Sequence, residues 1–118
     1  MLIVKQNKYG RGVYTTAPLE KGQLIIVNHL LIISPKDRKG SPTLRRYDFE
    51  FFDEKLGESG IALGIASLMN HSIKKANADF ETTYYDKDLP IVFVTTTKKI
   101  KAGSEILVNY GYDPTEVK

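Results

Sequence analysis

Short apolar segments separated by turn residues dominate the first third of the chain, and their pattern predicts strands. Leu2 to Lys5 is short and apolar, and Val13 to Thr16 is β-branched and aromatic, as strands prefer. Gly10-Arg11-Gly12 predicts a turn between them. Leu24 to Ile33 is a long apolar run interrupted by Asn28-His29. This run predicts either one strand buried on both faces or two strands that bend at that pair.

The only segment that is predicted to be helical lies in the middle of the chain. Lys36 to Pro42 is polar and predicts a loop. Thr43 to Phe52 predicts a short helix, because Tyr47 and Phe51 share one face at helical spacing. Ile61 to Met69 predicts a compact buried segment in which small residues let another backbone approach closely.

The last third returns to strands. Asn77 to Tyr85 and Ile91 to Thr97 predict a hairpin that turns through Asp86-Lys87-Asp88. Glu105 to Tyr110 predicts a final strand. Many short strands with frequent turns indicate a mostly-β fold with short helices. The 118 residues are one domain's worth, and the sequence shows no repeat or linker.

Composition narrows the chemistry. The absence of cysteine excludes disulfides, thiolate zinc sites and thiol nucleophiles, and the presence of only His29 and His71 disfavours a metal site. No apolar run approaches the roughly 20 residues that span a bilayer, and no export signal is recognisable at the N-terminus. We therefore expect a soluble intracellular protein, in the cytoplasm or a host nucleus. Its chemistry must use hydroxyls, carboxylates, amides, backbone groups or a bound cofactor.

Charge is unevenly distributed although the net charge is only +3. Residues 36–46 carry five basic side chains against one acid, and residues 47–58 carry five acids against one base. The simplest interpretation is two solvated faces. A nucleic-acid binder that uses the basic stretch is disfavoured, because basic and aromatic residues do not alternate regularly there.

The residues that could form a functional site lie in polar clusters at the ends of the predicted segments. Asn70-His71-Ser72 ends an apolar segment, and each of its side chains needs a hydrogen-bonding partner if buried. By itself the triplet favours a loop cap with a hydrogen-bonded histidine over a functional site, and no G-x-S-x-G elbow supports a serine hydrolase. Tyr110-Gly111-Tyr112 closes the last strand, either as aromatic packing or as hydroxyls that orient a reacting amine. Gly10-x-Gly12 alone is an ordinary glycine turn, and the Rossmann pattern is incomplete.

Together, the order and spacing of these motifs resemble the SET-domain family of protein-lysine methyltransferases along nearly the whole chain. The segments that carry the resemblance are Gly10-Arg11-Gly12-Val13-Tyr14, Pro18 to Ile25, Ala62 to Ser72 with Asn77, and Ile100 to Asp113. The short length and lack of cysteine look most like the stand-alone viral and microbial members. The resemblance implies a single SET domain over residues 1–118 without cysteine-rich flanking regions. It also implies a β-clip-like fold with a C-terminal pseudoknot.

The resemblance further implies S-adenosylmethionine as cofactor and a protein lysine, most simply in a histone-like tail, as substrate. Tyr110 would be the catalytic residue and would also contact the cofactor. The other implied cofactor-binding residues are Tyr9, Arg11, Gly12, Asn70 and His71. Tyr47 and Tyr112 would line the lysine channel, and Asp48 and Glu50 would attract a basic peptide.

Two departures from the family pattern change the expectations. Four residues, Ile73-Lys74-Lys75-Ala76, separate Ser72 from Asn77, where the family usually has three, so the role of Asn77 is open. Seven residues follow Gly111, too few for the cap that often covers the channel, and we therefore expect a homodimer. The main alternative function is a non-catalytic SET-like module that binds a lysine-rich peptide or a partner protein.

Overall fold

The computed structural model describes residues 1–50, 59–85 and 89–110, apart from the side chains of Arg45, Arg46 and Glu50. Strands make up most of this part of the chain, which confirms the mostly-β prediction. In chain order the elements are β1 (Leu2–Asn7), β2 (Gly10–Thr15), β3 (Leu24–Ile33), α1 (Pro35–Lys39), α2 (Pro42–Tyr47), β4 (Asp48–Glu50), β5 (Ser59–Ala62), a 3-10 helix (Ile65–Leu68), β6 (Asn70–His71), β7 (Ala78–Tyr85), β8 (Leu89–Thr96) and β9 (Leu107–Val108).

Two sheets form the fold. β1 and β2 make an antiparallel hairpin, and the larger sheet has the strand order β4-β5-β3-β8-β7-β9-β6. Its centre is antiparallel, whereas β9 runs parallel to both β6 and β7. An isolated bridge between Tyr14 and Glu105 connects the hairpin to the segment before β9. The beginning and the end of the described chain are thereby held side by side.

The core lies between the hairpin and one face of the larger sheet. Val13 of β2, Val92 and Val94 of β8 and Val108 of β9 are completely buried. Phe49 and Phe80 add an edge-to-face ring contact with centroids 5.0 Å apart. Burying each such apolar side chain contributes about 1.5–3 kcal/mol to the stability of the fold. The core therefore anchors both β8 and the short final strand.

β3 is one continuous strand, and its ladder with β8 runs through Asn28 and His29 without a break. The predicted strand over these residues is confirmed, but the predicted burial on both faces is wrong. Ile26 and Leu30 are buried, whereas Val27 and Leu31 are 53% and 56% exposed. Burial on the second face is therefore interrupted at Val27 and Leu31.

Three local predictions are corrected. The first turn lies at residues 8 and 9, and Gly10-Arg11-Gly12 opens β2 instead of forming the turn; Gly10 has a φ of 107°, which glycine adopts without strain. Residues 35–39 form a helix where a loop was predicted. The predicted helix from Thr43 ends already at Tyr47, and Phe51 lies outside the described residues.

Both short helices begin at a Ser-Pro pair. The hydroxyl of Ser34 accepts a hydrogen bond from the backbone N–H of Asp37, and that of Ser41 accepts one from Leu44. Serine satisfies an N–H that has no partner in the first turn, and the proline ring is preset for the first helical position. Within the described residues, no helix is long and apolar enough to cross a membrane.

The hairpin of β7 and β8 agrees with its prediction to within two residues at each end. Its predicted turn, residues 86–88, lies outside the described residues. The predicted last strand from Glu105 to Tyr110 is shorter, because ladder pairing is confined to Leu107–Val108.

Candidate active site

The parallel pairing of β6 with β9 builds the candidate site. Asn70 lies opposite Leu107, and His71 lies opposite Val108. The register brings Tyr110, two residues beyond β9, beside the Asn70-His71 pair although the two motifs are far apart in sequence. Three predicted site residues, Asn70, His71 and Tyr110, therefore lie together.

Tyr110 is held at both ends. Its backbone N–H donates a 2.9 Å hydrogen bond to Nδ1 of His71. Its hydroxyl donates a hydrogen bond to the backbone carbonyl of Met69. The rings of His71 and Tyr110 also pack against each other, with centroids 5.0 Å apart. These contacts fix both the backbone and the side-chain direction of the tyrosine.

The side-chain amide of Asn70 has a defined orientation. Its Nδ2 donates to the backbone carbonyl of Arg11 at 2.9 Å and to Oε2 of Glu105 at 2.7 Å. Both partners are acceptors only, so the amide nitrogen must face them. The amide oxygen Oδ1 accepts no hydrogen bond within the described part of the chain, which leaves it as an acceptor for a ligand.

Gly12 lies next to the Asn70 amide and the Glu105 carboxylate, and a side chain at this position would be crowded by polar atoms. A Cβ at this position would lie 2.2 Å from Oε2 of Glu105, 2.7 Å from Nδ2 of Asn7 and 3.0 Å from Nδ2 of Asn70. Glycine thus leaves room for three polar side-chain ends, and a Cβ here would displace at least the Glu105 carboxylate. Arg11 takes part through its backbone carbonyl, and its side chain is exposed.

Sequence reasoning missed Asn7 and Glu105. Glu105 accepts from Asn70, as above, and also from Nδ2 of Asn7 at 3.3 Å. Asn7 in turn holds the hairpin turn, because its Oδ1 accepts from the backbone N–H of Tyr9. The available signal was the position of Glu105 between Ser104 and Ile106 in the closing motif, an acid entering an apolar strand.

Asn77 has a clear structural role despite the extra residue before it. Its side chain donates to the carbonyl of Glu105 and accepts from the backbone N–H of Leu107, both at 2.9 Å. The side chain therefore continues the ladder alongside β9. Ser72 supports the neighbouring turn, since its hydroxyl accepts from the N–H of Lys75.

The remaining predicted residues lie further out. The ring of Tyr9 is largely exposed, and Lys8 Nζ lies 5.1 Å from its centroid. Tyr47 ends α2 with a partly exposed ring, and its carbonyl accepts from Ser67 of the 3-10 helix that precedes Met69. Tyr112 lies outside the described residues, as does the side chain of Glu50.

Asp48 is engaged in the fold and does not face solvent. Its side chain is 1% exposed and forms an ion pair with Arg38. The same carboxylate accepts a 2.7 Å hydrogen bond from Ser59. A carboxylate buried in this way is poorly placed to attract a basic peptide, so the prediction for Asp48 as a substrate-binding residue loses its physical support.

The described ranges 1–50, 59–85 and 89–110 contain no group of three or more histidine, aspartate or glutamate side chains that could hold a metal ion.

The sequence also matches a known protein family. A family model of the SET domain matches residues 10–111. The chain belongs to the SET-domain family. The match begins at the first glycine of β2 and ends directly after Tyr110, so it includes the candidate site residues except Asn7, Tyr9 and Tyr112. A search of curated proteins finds no match.

Solved SET-domain structures share the fold. A candidate histone methyltransferase of Plasmodium falciparum superposes with a TM-score of 0.79 at 21% identity, over 96% of this chain and 99% of that one. Cryptosporidium SET8 superposes with a TM-score of 0.74 at 20% identity, over 95% of this chain and 58% of that one. A Chaetomium thermophilum polycomb repressive complex 2 bound to S-adenosylmethionine gives 0.71 at 21% identity, over 98% of this chain. This chain spans 16% of that polycomb chain.

Proposed function

We propose that this protein is a protein-lysine N-methyltransferase that transfers a methyl group from S-adenosylmethionine to the ε-amine of a lysine. One observation carries the proposal. Tyr110 is fixed by His71 and by the Met69 carbonyl. Beside it lies the Asn70 amide, whose oxygen accepts no hydrogen bond from the described residues, and Gly12, where a Cβ would crowd this cluster. These groups serve the needs of a methyl transfer and suit neither metal nor thiol chemistry.

The residues present fit the proposed cofactor. The oxygen of Asn70 is an acceptor suited to the ammonium of the cofactor's amino-acid part, because both amide hydrogens are already used. Residues 9–11, ahead of Gly12, are exposed, and no atom lies within 4 Å of the Cβ position at Gly10, so a ligand can approach the chain there. We propose Tyr9, Arg11, Gly12, Asn70, His71 and Tyr110 as the residues that hold it.

The proposed reaction needs no covalent bond between the protein and either reactant. When bound, S-adenosylmethionine supplies a methyl group on a positively charged sulfur. The lysine must be neutral and aligned within roughly 3–3.5 Å of the carbon that it attacks. Since free lysine has a pKa of about 10.4, the site must disfavour the ammonium, and apolar surroundings do so.

Tyr110 is suited to orient that amine. Its hydroxyl hydrogen is committed to the Met69 carbonyl, so the hydroxyl oxygen presents lone pairs to an amine N–H. Accepting from the amine directs the nitrogen lone pair away from the tyrosine. We propose Tyr110 as the catalytic residue on this ground, with Tyr47 and Tyr112 as walls of the lysine channel.

The proposed substrate is a lysine-rich protein segment such as a histone tail. The similarity to the Plasmodium falciparum protein supports this choice, as does the acidic composition of residues 47–58. With Asp48 paired to Arg38, the attraction falls to the other acids of that stretch. Glu50 stays in the proposal.

Incubation with methyl-labelled S-adenosylmethionine and a panel of histones and cell lysates tests the proposal. We expect label on a protein lysine, and Tyr110→Phe should slow transfer about 100-fold through lost alignment of the amine. Tyr85→Phe, at an exposed position on β7, serves as the matched control and should transfer normally.

Binding of the cofactor without transfer to any substrate would replace the proposal with the alternative, a non-catalytic module for lysine-rich peptides. Absence of cofactor binding, measured by calorimetry on the wild-type protein, would contradict both the cofactor assignment and the enzymatic function.

The homodimer and the kinship with short stand-alone viral and microbial members stay predictions. The exposed apolar side chains of Val27 and Leu31 are compatible with a face that a second copy covers. Light scattering across a range of protein concentrations should show a dimer mass. A monomer mass that does not change with concentration would contradict the dimer.

A further inference from the structure

One carboxylate oxygen connects two sides of the candidate site. Oε2 of Glu105 accepts from Nδ2 of Asn70 at 2.7 Å and from Nδ2 of Asn7 at 3.3 Å. Asn70 lies on β6 and Asn7 ends β1, so the two donors come from different sheets. Glu105 itself precedes β9, and its neighbour Tyr14 on β2 is tied to it by a bridge.

The same oxygen decides which way the Asn70 amide points. In the observed orientation, both Glu105 and the Arg11 carbonyl accept from the amide nitrogen. A flipped amide would place its oxygen against two acceptors, which repel it. If Glu105 were absent, the Arg11 carbonyl alone would hold the orientation.

The link through Asn7 reaches the hairpin turn. While Nδ2 of Asn7 donates to Glu105, its Oδ1 accepts from the N–H of Tyr9 at 2.9 Å. Nδ2 also lies 3.2 Å from the hydroxyl of Tyr14. The turn that carries Tyr9 is therefore tied to the carboxylate that orients Asn70.

We propose that Glu105 is a positioning residue for cofactor binding: it sets the Asn70 amide so that Oδ1 receives the cofactor's ammonium, and through Asn7 it holds the Tyr9 turn. This inference rests on the proposed function, since it assumes that S-adenosylmethionine occupies the site. Glu105 acts through the two asparagines, and no contact of its own with the cofactor is required.

Calorimetric titration of S-adenosylmethionine into purified variants tests the inference. Glu105→Ala should weaken cofactor binding about tenfold, because a hydrogen bond to a charged acceptor is lost and the amide is free to turn. Glu105→Gln should stay within roughly threefold of wild type, since the Gln oxygen can accept the same two bonds. Glu81→Ala, at an exposed acid on β7, is the control and should bind normally.

A double-mutant comparison separates positioning from general destabilisation. If Glu105 acts through Asn70 and Asn7, then adding Glu105→Ala to the double variant Asn7→Ala/Asn70→Ala should weaken binding little beyond that double variant alone. Independent, multiplying effects would overturn the inference. So would wild-type affinity in Glu105→Ala.

A second pair covers the case in which Glu105→Ala does not fold. Asn70→Asp places a carboxylate against Glu105 and should weaken cofactor binding at least about tenfold by repulsion. Adding Glu105→Gln supplies an amide donor to that aspartate and should recover part of the loss. Failure to recover would overturn the inference.

Cofactor binding by the wild-type protein distinguishes a failure of the Glu105 role from a failure of the cofactor assignment. Wild-type binding with unaffected variants contradicts the role of Glu105 only. No wild-type binding contradicts the cofactor assignment and the inference together.

Discussion

The backbone N–H of Tyr110 donates a 2.9 Å hydrogen bond to Nδ1 of His71. Because this ring nitrogen accepts, a neutral His71 carries its proton on Nε2. The bond joins the first polar motif to the second through one imidazole. It also explains why a histidine is needed here, since a side chain without an acceptor at this position would leave a peptide N–H without a partner.

Replacing His71 should therefore disturb both stability and alignment. His71→Phe keeps the ring packing against Tyr110 but removes the acceptor, which should cost about 1–3 kcal/mol in the free energy of unfolding. We expect kcat to fall more than peptide KM rises, because the tyrosine backbone loses its anchor. Denaturant unfolding and steady-state kinetics measure the two effects.

The other histidine provides the control. His29 lies at an exposed position on β3, so His29→Phe should change neither quantity appreciably. Equal effects of the two substitutions would contradict a special role for His71.

A methyl group at residue 12 should block the cofactor side of the site. In Gly12→Ala the Cβ would start 2.2 Å from Oε2 of Glu105, so Glu105 must move and release Asn70. We expect S-adenosylmethionine affinity to fall at least about tenfold, which corresponds to a loss of one hydrogen bond to a charged group.

Gly40→Ala is the matched substitution, because the nearest atom to a Cβ there is the Lys36 carbonyl at an ordinary 3.6 Å. It should bind the cofactor as wild type does. Calorimetry on both variants, with circular dichroism to verify folding, makes the comparison. Unchanged affinity in Gly12→Ala would show that the crowding around residue 12 is relieved without harm.

Asn77 should matter for the attachment of β9. Asn77→Ala removes two 2.9 Å hydrogen bonds, to the Glu105 carbonyl and from the Leu107 N–H. The second leaves a peptide donor partly buried without its partner, so the free energy of unfolding should fall by about 1–3 kcal/mol. Hydrogen exchange at Leu107 should accelerate.

Lys74→Ala, on the exposed segment just before Asn77, should leave both measurements as they are. If Asn77→Ala behaved like Lys74→Ala, the side chain would not hold the strand.

The buried position of Asp48 leads to a prediction opposite to the one from sequence. Asp48→Asn removes a buried charge that pairs with Arg38 and accepts from Ser59, and losing hydrogen bonds to a charged group costs about 1.5–3 kcal/mol. We therefore expect a lower melting temperature and an unchanged peptide KM.

Asp79→Asn, an exposed acid on β7, should change neither. A raised peptide KM at normal stability in Asp48→Asn would restore the substrate role that the sequence suggested.

Local pattern predicted the strands well, because alternation and β-branched content report directly on the backbone. It failed at residues 35–39, where Ser34-Pro35 was taken as the end of a strand although serine followed by proline is also a helix start. Burial of β3 was overestimated for a related reason. An apolar run states what a strand could bury but not whether anything covers its second face.

The same limit of local sequence patterns separates the site residues that were predicted from those that were missed. Asn70, His71 and Tyr110 were predictable because they lie in compact motifs with recognisable spacing. Asn7 and Glu105 are 98 positions apart and meet only in the tertiary fold, so no local sequence pattern predicts their contact. The burial of Asp48 likewise depends on Arg38 and Ser59, which lie on other elements.

The contact between Asn7 and Glu105 also affects when the candidate site can be completed during folding. On a ribosome, β1, Gly12 and Asn70 emerge well before Glu105 and Tyr110, and closing so long a loop must precede any gain from the contacts that it forms. The nascent chain therefore carries half a site until its last strand is released. β9 must then pair in parallel with β7 and bring β6 into the sheet, which is a slow non-local step. We expect catalytic competence to lag behind the appearance of secondary structure during refolding, with the hairpin and central strands forming first.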